Sequence, residues 1–290
     1  MDLAAFLKNQ ETILLDGAMG TQLDKYGLMS RGANNVAAPE VVLKIHREYA
    51  ECGCHALTTN TLTTNRIYIE THNIEVDVRE ANKAGAELAR RATKKGQYVL
   101  GDISSTGQLL EPYGTYKEED FYSTFKEQAQ ILAEAGVDGF IIETMFDLRE
   151  AMCALRACKD NFLLPVIASI AFATEEKGGR TIMGNSAEDC AKQLTLGKAD
   201  VIGANCGDLE PAQMAVVISL LRSGTTLPVL AQPNAGKPKL VNNRTVFEME
   251  PMAFAAGVEK CLQAGAHIVG GCCGTTPEHI RAVAAMLNKK

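Results

Sequence analysis

The sequence predicts an α/β protein, a (β/α)8 TIM barrel built as a single domain over residues 1–290. Three observations lead there. Short apolar or β-branched runs alternate eight times with longer amphipathic segments. The short runs are nearly continuous in apolar residues, as parallel strands covered on both faces must be. No internal repeat, low-complexity linker or shift in composition divides the chain. An open doubly wound sheet would need a switch point and usually carries fewer strands, whereas this length suits one barrel.

In chain order the strand candidates are "TILLDGA" from Thr12, "HALTTNT" from His55, "QYVLGDIS" from Gln97 and "GFIIETM" from Gly139. Four more follow: "PVIASIAF" from Pro165, "VIGANCG" from Val201, "LPVLAQPNA" from Leu227 and "HIVGGCCG" from His267. Helical segments lie between them. In "EEDFYSTFKEQAQILAEAG", Phe121, Phe125, Ala129, Leu132 and Ala133 fall on one stripe. Several helices stop at glycine before the next strand ("YAECGCHAL", "LAEAGVDGF", "CLQAGAHIV"), the expected position just past a helix C-terminus. An opening helix from Asp2 to about Lys8 is expected to cover the barrel bottom.

Barrel enzymes build their sites where the strands end. The strand ends, in order, are Asp16, Asn60, Asp102, Glu143, Ser169, Cys206, Asn234 and Cys272. Apolar strands thus lead into a polar ring, as a catalytic face requires. Two long connections, "GQLLEPYGTYKEED" and "GKPKLVNNRTVFEMEP", are expected to cover this face as loops.

Composition excludes several classes. Net charge is −6, and the densest basic run, "RRATKKG", suits a helix C-terminus better than a nucleic acid. No apolar stretch approaches the ~20 residues that span a bilayer, and the N-terminus lacks the features of a secretory signal. A cytoplasmic protein is expected, with neither nucleic acid nor membrane as partner. Nine cysteines, an odd number in a large acidic chain, point to core residues, metal ligands or nucleophiles rather than a disulfide framework.

Three of those cysteines stand at strand ends. Cys206 lies in "NCG" on strand six, and Cys272 and Cys273 in "GGCCG" on strand eight. Next-but-one strands are about 9–10 Å apart, so their side chains can converge on one ion. Adjacent cysteines point opposite ways along a strand; Gly270, Gly271 and Gly274 supply the sharp turn that lets both face it. Three thiolates with an open fourth position suit catalytic Zn2+. Such a site would strip the proton from an incoming thiol yet leave its sulfur nucleophilic. The competing reading makes the three thiols buried apolar groups. Cys153, Cys158, Cys190 and Cys261, in helical segments, and Cys52 and Cys54, flanking Gly53, read as core residues. None of the five histidines reads as a ligand.

"DGAMGT" (Asp16 to Thr21), "NCG" (Asn205 to Gly207) and "GGCCGTTPEHI" (Gly270 to Ile280) resemble the homocysteine S-methyltransferases over essentially the whole chain. That family includes the homocysteine-binding module of cobalamin-dependent methionine synthase and betaine–homocysteine methyltransferase. The resemblance implies zinc on Cys206, Cys272 and Cys273, homocysteine bound as thiolate, and its methylation to methionine. It also implies that Asp16, Gly17 and Glu143 bind the amino-acid end of homocysteine. Residue chemistry agrees, since an ammonium group seeks a carboxylate; the alternatives are a turn role for Asp16 and pairing of Glu143 with Arg149. Asn60, Asp102 and Ser169 are further candidates for substrate binding. Where many relatives carry Gly-Pro-Thr after the third strand, this chain reads "GDISSTG", which bears on the local loop and the donor side of the pocket.

No Asp-x-His-x-x-Gly motif is present, so no cobalamin is expected to be bound by this chain itself, and the methyl donor is expected from outside. The favoured donor is a separate methyl-corrinoid protein, the chain being either complete or a module of a larger enzyme. Alternatives are S-methylmethionine, S-adenosylmethionine and betaine; a quaternary ammonium calls for an aromatic cage, and this chain has 6% aromatics and no Trp, with Tyr113 and Tyr116 on a face loop. No catalytic residue beyond the zinc site is expected. Two other classes stay open: a phosphate-binding aldolase or isomerase, which lacks a strand lysine here, and a zinc-thiolate redox sensor without turnover.

Overall fold

The computed structural model describes residues 3–7, 11–29, 32–241 and 244–288. Eight parallel strands form the central sheet: β1 (Ile13–Leu14), β2 (Ala56–Thr58), β3 (Tyr98–Ile103), β4 (Gly139–Met145), β5 (Val166–Ile170), β6 (Val201–Asn205), β7 (Val229–Gln232) and, after a hairpin described below, β10 (Ile268–Val269). Their spatial order is β1-β10-β7-β6-β5-β4-β3-β2. The ring closes where Leu15 bridges Ala56 and His55 N donates to Leu14 O at 2.6 Å. All eight strands expected from the apolar runs are therefore present, in a closed barrel.

The long helices α4 (Pro39–Ala50), α6 (Val78–Ala92), α7 (Glu118–Glu134), α8 (Leu148–Asn161), α9 (Ala187–Leu196), α10 (Pro211–Ser223), α11 (Pro251–Gln263) and α12 (Pro277–Leu287) form the outer layer. Short helices α2 (Gly20–Asp24), α3 (Asn34–Ala37) and α5 (Arg66–Thr71) sit in the connections. The glycines expected to end helices do so: Gly53, Gly136 and Gly265 have φ of 85°, 83° and 103°, where a Cβ is penalised.

Strand periodicity sorts the core into two layers. Phe140, Ile142, Val166, Ala168, Ile202, Val229 and Ala231 pack outward against the helices. Their neighbours Leu100, Ile141, Ile167, Val201 and Leu230 pack into the barrel with Ile13, Leu15, Ala56 and Ile268. Helix α1 (Leu3–Leu7) plugs this interior from below: Leu3 and Leu7 join the inner cluster, and Phe6 lies 5.5 Å from the His55 ring and 5.1 Å from that of Tyr98. This is the expected bottom cap, although Asp2 and Lys8 lie outside the described residues.

Two residues further along the strand, or four on β6, the same inward parity delivers polar side chains. It brings in Thr58, Asp102, Glu143, Ser169, Asn205 and Gln232 above the apolar plug. The β4–β5 register shifts between Ile142 and Met145, and Thr144 takes φ 58° there. The connection after β7 is not only loop: β8 (Lys239–Val241) and β9 (Arg244–Val246) pair antiparallel, and the returning limb lays Phe247 against Gly274. A Cβ on Gly274 would sit 2.3 Å from the Phe247 side chain, so this position needs glycine for room as well as for its φ of 80°. No helix among the described residues is long and apolar enough to cross a membrane.

Candidate metal centre and substrate cavity

Cys206, Cys272 and Cys273 converge. Their Sγ atoms all lie within 4.8 Å of one another, and those of Cys206 and Cys273 are 3.8 Å apart. Sharp backbone turns achieve this. Cys206 has φ 54°, and Gly207, at φ 66°, passes so close to Phe172 O that a Cβ would meet it at 2.1 Å. At the other arm, Cys272 N donates to Pro233 O, Thr275 N to Cys272 O, and Ala235 N to Cys273 O. The turn is thus pinned to the end of β7, and the two neighbouring thiols share a side.

The donor set fits zinc. A tetrahedral ion with Zn–S bonds of about 2.3 Å keeps its sulfurs about 3.8 Å apart, the separation found between Cys206 and Cys273. The thiols share protons: hydrogen bonds with Cys206 and Cys272 hold Cys273 down to about 4, while hydrogen bonding to Cys206 and Cys273, and then burial, push Cys272 up. Among the described residues no other group of three such side chains comes together. The remaining six cysteines are buried, as core residues should be. Cys52, Cys54 and Cys261 donate to backbone carbonyls of Glu48, Tyr49 and Pro211.

The sulfurs form one wall of a cavity of about 200 Å³ at the C-terminal end of the barrel. Asp16, Gly17, Asn60, Asp102 and Glu143 line the same cavity, together with Ala18, Met19, Thr58, Leu62, Thr144 and Gln232. Among the described residues none of its lining is basic or aromatic. Asp16 is fixed by Thr58, whose N and Oγ1 donate to its two oxygens at 2.8 and 3.0 Å; burial nevertheless pushes its carboxyl up to about 7. Glu143 accepts from Asn205 Nδ2 at 3.0 Å, and burial, then the Asp16 charge, push it up to about 8. Arg149 is not its partner: it pairs with Glu118 and Glu111 O instead. Asp102 is raised by burial and then by Glu143 and Asp16, and its Oδ1 is buried with no partner among the described residues. Three carboxyls beside three thiols, with no cation among them, make a site that seeks positive charge.

Other expected residues are placed differently. Ser169 lies below the cavity and donates to Asn205 Oδ1 at 2.7 Å. Asn60 turns its amide to Asn35 Oδ1 at 2.9 Å. Asn234 donates to Gly207 O, and its Oδ1 is buried without a partner among the described residues. Thr58, Thr144, Asn205 and Gln232 belong to the site as well, and inward strand parity is the sequence signal that marks three of them. The "GDISSTG" segment lacks proline but gains a polar anchor: buried Glu150 of α8 accepts from Ser105 Oγ, Thr106 N and Thr106 Oγ1 at 2.9, 2.7 and 2.7 Å. Of the face-loop aromatics, Tyr116 packs on Phe121 and Tyr113 is exposed; neither lines the cavity.

Residues 13–287 match the family model described as Homocysteine S-methyltransferase. The chain is 30% identical over 298 aligned positions to a methionine synthase of Mycobacterium tuberculosis (strain ATCC 25618 / H37Rv), covering 96% of this chain and 25% of that protein. With a methionine synthase of Mycobacterium leprae (strain TN) the identity is 30% over 299 positions, covering 95% and 24%. The chain thus spans about a quarter of the length of the curated relatives it matches. The metallated form of the homocysteine methyltransferase MmuM from Escherichia coli shares the fold, with a TM-score of 0.79, 22% identity, and coverage of 97% of this chain and 98% of that one. With its barrel closed and its three thiols gathered at the strand ends, the chain belongs to the homocysteine S-methyltransferase family.

Proposed function

We propose that this barrel methylates the thiol of homocysteine to give methionine, using zinc held by Cys206, Cys272 and Cys273. The observation that carries this reading is the sharing of one small cavity by three converging sulfurs and the buried carboxyls of Asp16 and Glu143. Zinc bound there would supply Lewis acidity that deprotonates an incoming thiol while three thiolate ligands keep its sulfur electron-rich. The protein supplies the rest. Asp16 and Glu143 receive the α-ammonium group, whose charge favours their ionised forms and offsets the burial that raises both. The cavity walls orient the amino acid and hold its sulfur at the face where a donor arrives, which lowers the entropic barrier to in-line displacement at the methyl carbon. The names of the mycobacterial relatives, both methionine synthases, support methionine as product.

For the donor we favour a separate methyl-corrinoid protein. The absence of an aromatic ring from the described cavity lining argues against a caged quaternary ammonium. Zinc-loaded protein and homocysteine, incubated separately with methylcobalamin, methyl-corrinoid protein, S-methylmethionine, S-adenosylmethionine and betaine, test the reading. Methionine from the corrinoid arms alone supports it; turnover with betaine alone overturns the donor assignment, and none with any donor overturns the reaction.

A further inference from the structure

Two uncharged side chains tie the carboxylate side of the cavity to its thiol side. The first is Asn205, fully buried at the end of β6 and adjacent to Cys206. Its Nδ2 donates to Glu143 Oε2 at 3.0 Å and Thr144 Oγ1 at 2.8 Å, and lies 3.9 Å from Cys272 Sγ. Its Oδ1 accepts from Thr144 N at 2.9 Å and Ser169 Oγ at 2.7 Å. A primary amide has two N–H donors and two lone pairs, and here all are engaged. The amide therefore has one orientation: reversed, its oxygen would face the Glu143 carboxyl and its NH2 the Thr144 N–H. This clamp holds Thr144, a β-branched residue, at φ 58°, and Asn205 is followed directly by Cys206 at φ 54°. Such backbone persists only where its surroundings over-determine it.

The second is Thr275, buried three residues beyond Cys272. Its Oγ1 donates to Cys272 O at 2.7 Å and accepts from Ala18 N at 2.9 Å. Its carbonyl accepts from Gln22 Nε2 at 2.8 Å, and the Tyr49 hydroxyl lies 2.8 Å from Ala18 O and 3.2 Å from Thr275 O. A Cβ on Gly17 would stand 2.8 Å from Thr275 Oγ1, so the segment carrying Asp16 meets the cysteine turn without slack.

Neither pole can move alone. A shift of Glu143 breaks its bond to the residue preceding Cys206, and a shift of the Asp16–Ala18 segment breaks its bond to the turn that carries Cys272. The separation between the carboxyls and the sulfurs is therefore fixed by Asn205 and Thr275 together with the backbone bond from Gly271 N to Asp16 O at 3.0 Å. A ligand engaging both poles must carry the matching number of atoms between its ammonium and its sulfur.

We propose that Asn205 and Thr275 are positioning residues that make the cavity a chain-length gauge, admitting a γ-thiol amino acid and rejecting a β-thiol one such as cysteine. The proposal rests on the functional reading above. Its test is calorimetric titration of zinc-loaded wild type, Asn205→Ala, Thr275→Val and Thr275→Ser with L-homocysteine and L-cysteine, alongside zinc content. One methylene discriminates by roughly 10–200-fold, and wild type should prefer homocysteine by about that factor. Asn205→Ala and Thr275→Val should keep their zinc yet lose most of the preference, chiefly through weaker homocysteine binding, and Thr275→Ser should restore it. Ser169→Ala, which removes one partner of the Asn205 amide and lies outside the cavity, should narrow the preference partway and serves where Asn205→Ala fails to fold. Variants that retain the wild-type preference, weaken both thiols equally, or lose zinc overturn the gauge, as does a wild type without preference. A zinc-loaded wild type that binds neither thiol overturns the functional reading, and the gauge with it.

Discussion

Cys206 Sγ lies 3.8 Å from Cys273 Sγ although 67 positions separate them in the chain. The contact joins the ends of two barrel strands that are next-but-one neighbours, with β7 between them. Each arm reaches the common point through backbone that ordinary strands do not adopt, at Cys206 on one side and Gly274 on the other.

Removing any one thiol should therefore undo the centre. Cys206→Ala, Cys272→Ala and Cys273→Ala are each expected to lower zinc content from about one per chain to near zero and to abolish methionine formation. The barrel should still fold, because the apolar plug and helical layer do not depend on these residues. Elemental analysis with circular dichroism on the same samples checks both statements. A zinc-free variant with full activity contradicts them.

Glu143→Gln keeps the shape of the side chain and removes its charge. A hydrogen bond to a charged group is worth about 1.5–3 kcal/mol, so homocysteine affinity should fall roughly 10- to 150-fold. Binding of 4-mercaptobutyrate, which keeps the chain length of homocysteine but has no ammonium group, should hardly change. Equal losses for both ligands would remove Glu143 from the ammonium site.

Burial pushes Asp16 up to about 7 in the folded protein, against about 3.9 in an unfolded chain. Between these values the folded state holds a proton that the unfolded state has released. Stability contributed by this group therefore falls as pH rises, by at most about 1.4 kcal/mol per unit. Measured relative to Asp16→Asn, the wild type should be most favoured near pH 4, decline toward pH 7, and then level off. Denaturant melts of the pair across that range check the sign; a difference that grows with pH contradicts it.

Gly17→Ala should destabilise the fold. The added Cβ would meet Thr275 Oγ1 and Tyr49 Cε1, both at 2.8 Å, and both atoms belong to side chains held by hydrogen bonds. Overpacking of this kind costs about 1–3 kcal/mol. Thermal melts should show a lowered midpoint, and an unchanged midpoint would mean that loop and turn can separate freely.

Much of this was legible in the sequence because buried parallel strands write themselves as apolar runs and helices sign off with glycine. Ile141 and Ile167 announce their strands, and Gly136 and Gly265 end the helices before theirs. The convergence of Cys206 with Cys272 and Cys273 follows from strand order once the barrel is assumed. What stayed hidden depends on parity and on distant partners. Asn205 stands beside the conspicuous Cys206, yet it is the residue whose inward position reaches Glu143, 62 positions away. Ser169 shares that parity and is occupied by Asn205 rather than facing the cavity. Thr275 gains its role from Ala18, 257 positions away, which no local pattern records. The β8–β9 hairpin sits in a polar stretch, and its short, exposed first strand lacks the apolar signature of the barrel strands.

The most direct test is X-ray absorption at the zinc edge, recorded on zinc-loaded protein before and after addition of homocysteine. Three sulfur scatterers at about 2.3 Å, rising to four when homocysteine is added, are the predicted result. Fewer than three sulfurs in the resting protein, or a sulfur count that homocysteine leaves unchanged, would contradict the account.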